Sequence, residues 1–253
     1  MIFDTHAHYD AEQFNADRDA VLAALPEKGV GLVVDPGCDG DSSRMALSLT
    51  ERFEYVYAAV GWHPEEWESW DKNSIPLLRE LARQPKVVAI GEIGLDYYWD
   101  REHKDLQKEM LERQLCLALE RELPVIIHDR EAHEDCLEMV LRYPELRGVF
   151  HCFSGSAEMA SALLRRGWYL GFDGPVTYKN NKKAAAVLAV TPLDRILVET
   201  DSPYMAPEPV RGRRNDSANL SYVIERIAAL KGVTPQEMES VTWENGCRLF
   251  GIA

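Results

Sequence analysis

The sequence lacks the features that mark disulfide-rich, zinc-knuckle and membrane proteins. Its 5 cysteines are odd in number and scattered without CxxC spacing, so neither a disulfide framework nor a zinc knuckle fits. No apolar run approaches the roughly 18 residues that a membrane span needs. The N-terminus also has no basic segment followed by an apolar one, as a signal peptide would. We therefore expect reduced thiols, no membrane association and a cytoplasmic location.

Basic side chains are scarce as well. The chain has 28 Lys and Arg against 42 Asp and Glu, a formal net charge of -14 at pH 7. This balance argues against a broad basic surface that would hold a long nucleic-acid duplex. The acidity is uneven, however, because residues 1–173 carry a net charge of -15 and residues 174–216 carry +2. A local site for a short anionic ligand in the later segment remains compatible with the composition.

The apolar residues are arranged as short runs separated by amphipathic stretches, which is typical of buried parallel strands joined by helices. Eight such runs are present: 1–4, 31–35, 55–60, 87–90, 124–127, 148–150, 168–172 and 195–198. In a chain of 253 residues this pattern predicts one α/β domain over residues 1–253, a closed (β/α)8 or TIM barrel. An open doubly wound sheet is the alternative, but no GxGxxG follows the first run.

Helical segments are visible between and after these runs. An apolar stripe at helical spacing predicts a helix within 102–122, and a second helix is expected at 217–230. The last helix should begin after Thr234, since Thr as cap, Pro235 at the first position and Glu237 form a start signal.

Histidines and carboxylates cluster at the carboxyl ends of the predicted strands. His6 and His8 follow the first strand and, in an extended chain, point to the same side. Four further residues end or follow later strands: Glu92, His128, His151 and Asp201. A single histidine at a strand end is commonly structural, but these ends all meet at the active-site face of a barrel. The coincidence therefore predicts a metal site.

Six ligands exceed the needs of one tetrahedral ion and suit two divalent ions with a bridging group. We expect Glu92 to bridge them. The first ion would take His6, His8 and Asp201, and the second would take His128 and His151. Such a centre attracts an anionic substrate and generates a hydroxide nucleophile from water. Zn, Mn and Mg are all compatible with this set of ligands.

Other residues are expected to act on the substrate or to support the centre. Asp201 can accept the proton of the attacking water, and His63, after the third strand, can donate to a phosphate oxygen. Asp4 and Glu199 are expected one layer deeper, where they would support the imidazoles. The loops after strands seven and eight are a common phosphate-binding position of barrels. Four residues of these loops are candidate substrate contacts: Tyr178, Lys179, Arg211 and Arg213.

Several longer motifs resemble those of the TatD-type metal-dependent deoxyribonucleases, a branch of the amidohydrolase-like barrels. They span most of the chain: FDTHAHYD at 3–10, VGWHPE at 60–65, AIGEIGLDYYWD at 89–100, PVIIHDREA at 124–132, FHCFSGS at 150–156 and LVETDSPYMAPEPVRGRRN at 197–215. The resemblance implies a cytoplasmic hydrolase of phosphodiester bonds with two divalent ions, acting on DNA ends. It places the family's metal ligands on the six residues named above and its phosphate-contacting histidine on His63.

A small-molecule amidohydrolase, phosphoesterase or lactonase with the same metal pair is the competing prediction. That branch often bridges its ions with a modified lysine at the end of strand four, where this chain carries Glu92. The preferred prediction is an exonuclease that takes single-stranded DNA ends as substrate. Nothing in the sequence indicates an obligate protein partner.

Overall fold

The computed structural model describes residues 1–252, and within them eight strands form one parallel sheet in the order β1 to β8. The strands are β1 (Ile2–Asp4), β2 (Val30–Pro36), β3 (Val56–Val60), β4 (Val87–Asp96), β5 (Val125–Arg130), β6 (Gly148–Phe150), β7 (Tyr169–Phe172) and β8 (Ile196–Val198). Each strand pairs with the next one in sequence, which is the arrangement of a (β/α)8 barrel. The predicted fold class is therefore confirmed.

Helices follow every strand and surround the sheet. They are α1 (Arg18–Ala24), α2 (Gly40–Arg52), α3 (Ser74–Leu81), α4 (Lys104–Arg121), α5 (His133–Leu141), α6 (Ala157–Leu164), α7 (Lys182–Val190), α8 (Leu220–Lys231) and α9 (Pro235–Phe250). The expected start of the last helix is confirmed, because the Thr234 side chain accepts a hydrogen bond from the backbone N–H of Glu237. The predicted helix at 217–230 begins as a 3-10 turn, Ser217–Asn219, before α8.

Hydrogen bonds beyond β1 and β8 close the barrel. The backbone N–H of Asp201 donates to the carbonyl of His6 (2.9 Å), and that of His8 donates to Ser202 (2.7 Å). Ala7 and Ser202 form a parallel bridge between these bonds. The first and last segments of the sheet therefore meet at the carboxyl ends of the strands, which we call the rim.

Two hydrophobic layers hold the barrel. Inside it, alternate strand residues pack against one another and against α9, which closes the end opposite the rim: Phe3, Val34, Ala59, Ala89, Ile126, Val149, Tyr169, Leu197, Leu249 and Phe250. The other strand residues pack outward against the helices. Apolar side chains fill the interior at the end opposite the rim, so polar side chains of the strands have room only near the rim.

Strand β4 is longer than predicted and contains an irregularity that positions Glu92. The apolar run predicts a strand at 87–90, whereas β4 continues to Asp96. Three residue steps from Ile90 to Ile93 face two steps on β5, a β-bulge that re-aims the intervening side chains. Glu92 and His128 thus lie within paired strands, not in the loops that follow them.

None of the helices within residues 1–252 is both long enough and apolar enough to cross a membrane.

Candidate metal centre

His6 and His8 are fixed by the backbone bonds that close the barrel. Their Nε2 atoms lie 3.0 Å apart, and both rings are buried. The Nδ1–H of His8 donates to the carbonyl of Pro36 at 3.0 Å, which assigns the lone pair of this ring to Nε2. The predicted sharing of one side by the two imidazoles is confirmed.

Glu92 lies between two pairs of imidazoles and is buried. Its Oε2 is 3.3 Å from Nε2 of His6 and 3.3 Å from Nε2 of His8. Its Oε1 is 2.9 Å from Nδ1 of His128 and 2.7 Å from Nε2 of His151. Burial opposes the charge on this carboxylate, but the surrounding imidazoles, His151 first, hold its pKa well below the usual value. Each carboxylate oxygen therefore faces its own pair of rings.

The carboxylate of Asp201, after β8, lies near the imidazole rings of the two histidines that follow β1. Its Oδ1 lies 3.7 Å from Nε2 of His6 and 3.6 Å from Nε2 of His8. Burial raises the pKa of Asp201 to about 6. The turn after β8 thus brings the predicted base beside the two histidines.

His128 is oriented by Asp96, a residue that the pattern of strand ends did not indicate. Oδ2 of Asp96 lies 3.0 Å from Nε2 of His128, a contact that orients the ring so that Nδ1 faces Glu92. Asp96 is buried at the end of β4. The alternation of Glu92, Gly94 and Asp96 along one face of the strand was the signal that could have found it.

His151 completes the second pair of rings. It stacks on His6 with ring centroids 4.0 Å apart, and its Nδ1 lies 3.7 Å from Oε1 of Glu199. Glu199 therefore lies beside an imidazole, as expected. Asp4 differs from the expectation, because it accepts hydrogen bonds from the backbone N–H (3.0 Å) and hydroxyl (2.6 Å) of Thr200. The role of Asp4 is to hold the turn that carries Asp201.

His63 lies at the edge of the cluster as a neutral donor. The backbone N–H of Glu65 donates to its Nδ1 at 3.2 Å, so the ring proton is assigned to Nε2, 3.6 Å from Oε1 of Glu92. Burial and the neighbouring ring of His128 lower the pKa of His63 to about 3. This imidazole can therefore offer an N–H toward the centre without adding charge.

The donor set fits a divalent cation. Four imidazoles and the carboxylates of Glu92 and Asp201 converge in one buried cluster, and nitrogen and carboxylate donors of this kind bind divalent cations. Three groups have one possible ligand atom from each residue within 4.8 Å of one another: His6, His8 and Glu92; His63, Glu92 and His128; and His6, His151 and Glu199. Glu92 belongs to two of these groups.

The four predicted substrate contacts lie on the rim and outside the cluster. Tyr178 is half-buried, donates its hydroxyl to the carbonyl of Ala206 and lies under the guanidinium of Arg211, 4.2 Å from the ring centroid. Lys179, Arg211 and Arg213 are exposed. The structure thus leaves these cations accessible at the rim.

Comparisons with known proteins decide the family. A family model described as TatD related DNase matches residues 3–251. The chain belongs to this family. It is 43% identical to the uncharacterized metal-dependent hydrolase YabD of Bacillus subtilis over 100% of both chains. It is 34% identical to the 3'-5' ssDNA/RNA exonuclease TatD of Cronobacter sakazakii over 98% of this chain and 97% of that protein.

A solved structure of the TatD family has the same barrel. The TatD homologue YjjV from Escherichia coli superposes with a TM-score of 0.94 at 32% identity, covering 100% of this chain and 98% of that one. The resemblance noted from the motifs is confirmed, and the chain is a member of a family of metal-dependent hydrolases.

Proposed function

We propose that this TatD-family hydrolase cleaves phosphodiester bonds and removes nucleotides from the ends of single-stranded DNA. The observation that carries the proposal is the position of Glu92, which directs one oxygen to His6 and His8 and the other to His128 and His151. The exonuclease name of the Cronobacter sakazakii relative, at 34% identity over nearly the whole chain, supports the substrate class.

The proposed cofactor is a pair of divalent ions, Mg, Mn or Zn, held on either side of Glu92. His6, His8 and Asp201 would hold one ion, and His128 and His151 the other. Bound there, such ions polarise a phosphodiester and lower the pKa of a water molecule enough to make it a nucleophile. The separation of the two imidazole pairs by a single carboxylate supports two positions over one.

The side chains around this pair have separate proposed roles. Asp201 accepts the proton of the attacking water on the carboxylate oxygen that does not hold the ion. Glu92 fixes the spacing of the two halves of the site. His63 donates its Nε2–H to a non-bridging phosphate oxygen, since its Nδ1 is already occupied by the N–H of Glu65. Asp201, Glu92 and His63 are therefore the proposed catalytic residues.

The proposed substrate enters from the rim as a strand end. Tyr178, Lys179, Arg211 and Arg213 would contact its phosphates, and Arg211 is held over the Tyr178 ring. A few rim cations and the metal pair are enough to bind a short anionic segment, although the whole chain has a net charge of -14. No protein partner is needed for this binding mode.

The test is release of nucleotides from single-stranded DNA by the wild-type protein with Mg, Mn or Zn, and by two variants. His128→Ala should abolish metal-dependent release, because it removes one ligand of the proposed second ion. Asp201→Asn should do the same by removing the base and the negative charge of a ligand. His133→Ala is the matched control, since His133 lies on α5 and bonds to Asp129 at 2.8 Å, outside the cluster.

RNA, small phosphate esters, lactones and amides complete the substrate panel. Hydrolysis of a small amide or lactone without any cleavage of nucleic acid would contradict the nuclease proposal and favour the amidohydrolase alternative. Equal nucleotide release by wild type and His128→Ala would assign the activity to a contaminating nuclease.

A further inference from the structure

Exposed aromatic side chains are confined to the rim in the part of the chain that the structure describes. Tyr98 is 50% exposed and Trp99 is 63% exposed, and the two are adjacent with ring centroids 4.9 Å apart. The third, Tyr204, follows β8 and is 51% exposed. Single exposed apolar residues are ordinary on protein surfaces, but an adjacent pair beside a catalytic cluster indicates a contact surface.

The segment that carries this pair is held rigidly. Oδ1 of Asp96 accepts the backbone N–H groups of both Tyr98 and Trp99, each at 2.9 Å. Arg101 donates to the carbonyl of Tyr97 at 2.7 Å, and the Gln107 amide donates to the carbonyl of Asp96 at 3.1 Å. The rings are thus displayed on a fixed backbone, so a ligand that stacks on them loses little binding energy to ordering the loop.

A guanidinium without a carboxylate partner lies against the same rings. Arg130 Cζ is 4.1 Å from the ring centroid of Tyr98 and 5.4 Å from that of Trp99. No salt bridge to Arg130 is formed within residues 1–252. Arg130 lies two residues beyond His128 on β5 and therefore on the same face of that strand, farther out at the rim. We call Tyr98, Trp99 and Arg130 the stacking platform.

One carboxylate separates the platform from the catalytic cluster. Asp96 uses Oδ2 for the ring of His128 and Oδ1 for the backbone of Trp99. A group seated on the indole would therefore lie near a phosphate held by His63 and the proposed ions. The ligand for such a place must be flat, apolar on its faces and attached to an anion.

We infer that the stacking platform binds a nucleobase of a single-stranded nucleic acid, next to the phosphate that is cleaved. The inference rests on the proposed function and adds to it the contact that distinguishes a nucleotide from a small phosphate ester. Stacking on aromatic rings tolerates every base, because each base has a π face. Arg130 adds a positive charge on the path of the backbone.

The test compares Trp99→Ala with wild type on two single strands, one with all bases and one with abasic residues at the two last positions of each end. We expect Trp99→Ala to lower kcat/KM about tenfold on the complete strand, as for the loss of one base stack. On the abasic strand the two proteins should have the same kcat/KM, because the base that would stack on the indole is missing. Trp99→Phe should keep most of the rate, since it retains a ring.

Val190→Ala is the matched control. Val190 is 43% exposed at the end of α7, on the side of the barrel away from the rim, and its loss should leave both substrates unaffected. A Trp99→Ala protein with the wild-type kcat/KM on the complete strand would overturn the inference. A loss of the same size on both strands would also overturn it, because the indole would then act on the fold and not on a base.

Binding of the same labelled strands, measured by fluorescence anisotropy on the protein as purified and after chelation, separates this inference from the proposed function. If no metal supports hydrolysis of DNA or RNA but Trp99→Ala still weakens binding of the complete strand alone, the nuclease proposal fails and the base site stands. If hydrolysis occurs but neither Trp99→Ala nor removal of the terminal bases changes the binding affinity, the base site is wrong and the nuclease proposal stands.

Discussion

The carboxylate of Asp96 lies 3.0 Å from Nε2 of His128, and its side chain is fully buried. Because this bond sets which nitrogen of the ring faces Glu92, we expect Asp96→Asn to impair the centre without removing a ligand. Metal affinity or activity should fall about 10- to 100-fold, the usual effect of losing such a partner. Titration with Mn or Zn monitored by calorimetry, together with kcat and KM, measures it.

Asp194→Asn is the matched control for this change. Asp194 is 62% exposed, lies before β8 on the side away from the rim, and pairs with the neighbouring Arg195. It should leave metal affinity unchanged. An Asp96→Asn protein with wild-type metal affinity would show that backbone bonds alone orient His128.

A second prediction concerns the number of ions. Wild-type protein should bind two divalent ions per chain, because each oxygen of Glu92 faces its own pair of imidazoles. Glu92→Gln should bind fewer ions, since the neutral amide removes the charge shared by both positions. Elemental analysis combined with anomalous scattering gives the count. One ion at full occupancy in the wild-type protein would contradict the dinuclear proposal.

The rim cations give a third prediction. Replacing Arg211 and Arg213 together by Ala should weaken binding of single-stranded DNA and flatten its salt dependence, with a slope change of about 0.7 for each phosphate that is no longer neutralised. Arg142→Ala is the control, because Arg142 follows α5 on the opposite side of the barrel and pairs with Glu138. Identical salt slopes for the double variant and wild type would leave these arginines without a role in binding.

Gly171 on β7 provides a fourth prediction. A Cβ atom at this position would lie 2.5 Å from Oε2 of Glu199, which lies beside His151. Gly171→Ala should therefore displace Glu199, lower the free energy of unfolding by about 1–3 kcal/mol and reduce the metal content. Thermal denaturation and elemental analysis measure the two effects.

Gly167→Ala separates the two effects of that change. Gly167 has a φ of +82° and nothing within 4 Å of its Cβ position, so the substitution strains the backbone without touching the centre. It should lower stability while the metal content stays at the wild-type value. A Gly171→Ala protein that keeps its full metal content would show that Glu199 can move without effect on His151.

Much of the centre follows from strand ends in the sequence. His6, His8, His151 and Asp201 were found because a polar residue after a short apolar run stands at the rim of a barrel. This reasoning needs only the period of the strands and their parallel direction. It holds even where the strand bounds shift by two or three residues.

What the sequence did not reveal depends on register and exposure. The bulge between Ile90 and Ile93 is set by pairing with β5, and no local pattern announces it. Asp96 is not indicated by the sequence, because the predicted strand ends at residue 90 and places Asp96 in a loop. Tyr98 and Trp99 stand between Asp96 and Asp100, and no sequence pattern indicates their exposure, which follows from the turn held by Asp96.

The hydrogen bonds that close the barrel also determine the stage of synthesis and folding at which the metal centre can form. Asp201 and His6 are bonded through the backbone although 195 positions separate them, and this bond forms only when the last strand is in place. During synthesis from the N-terminus, five of the six proposed ligands therefore leave the ribosome before the sixth. The proposed metal centre would be complete only when the barrel closes, so an incomplete chain would lack the sixth ligand.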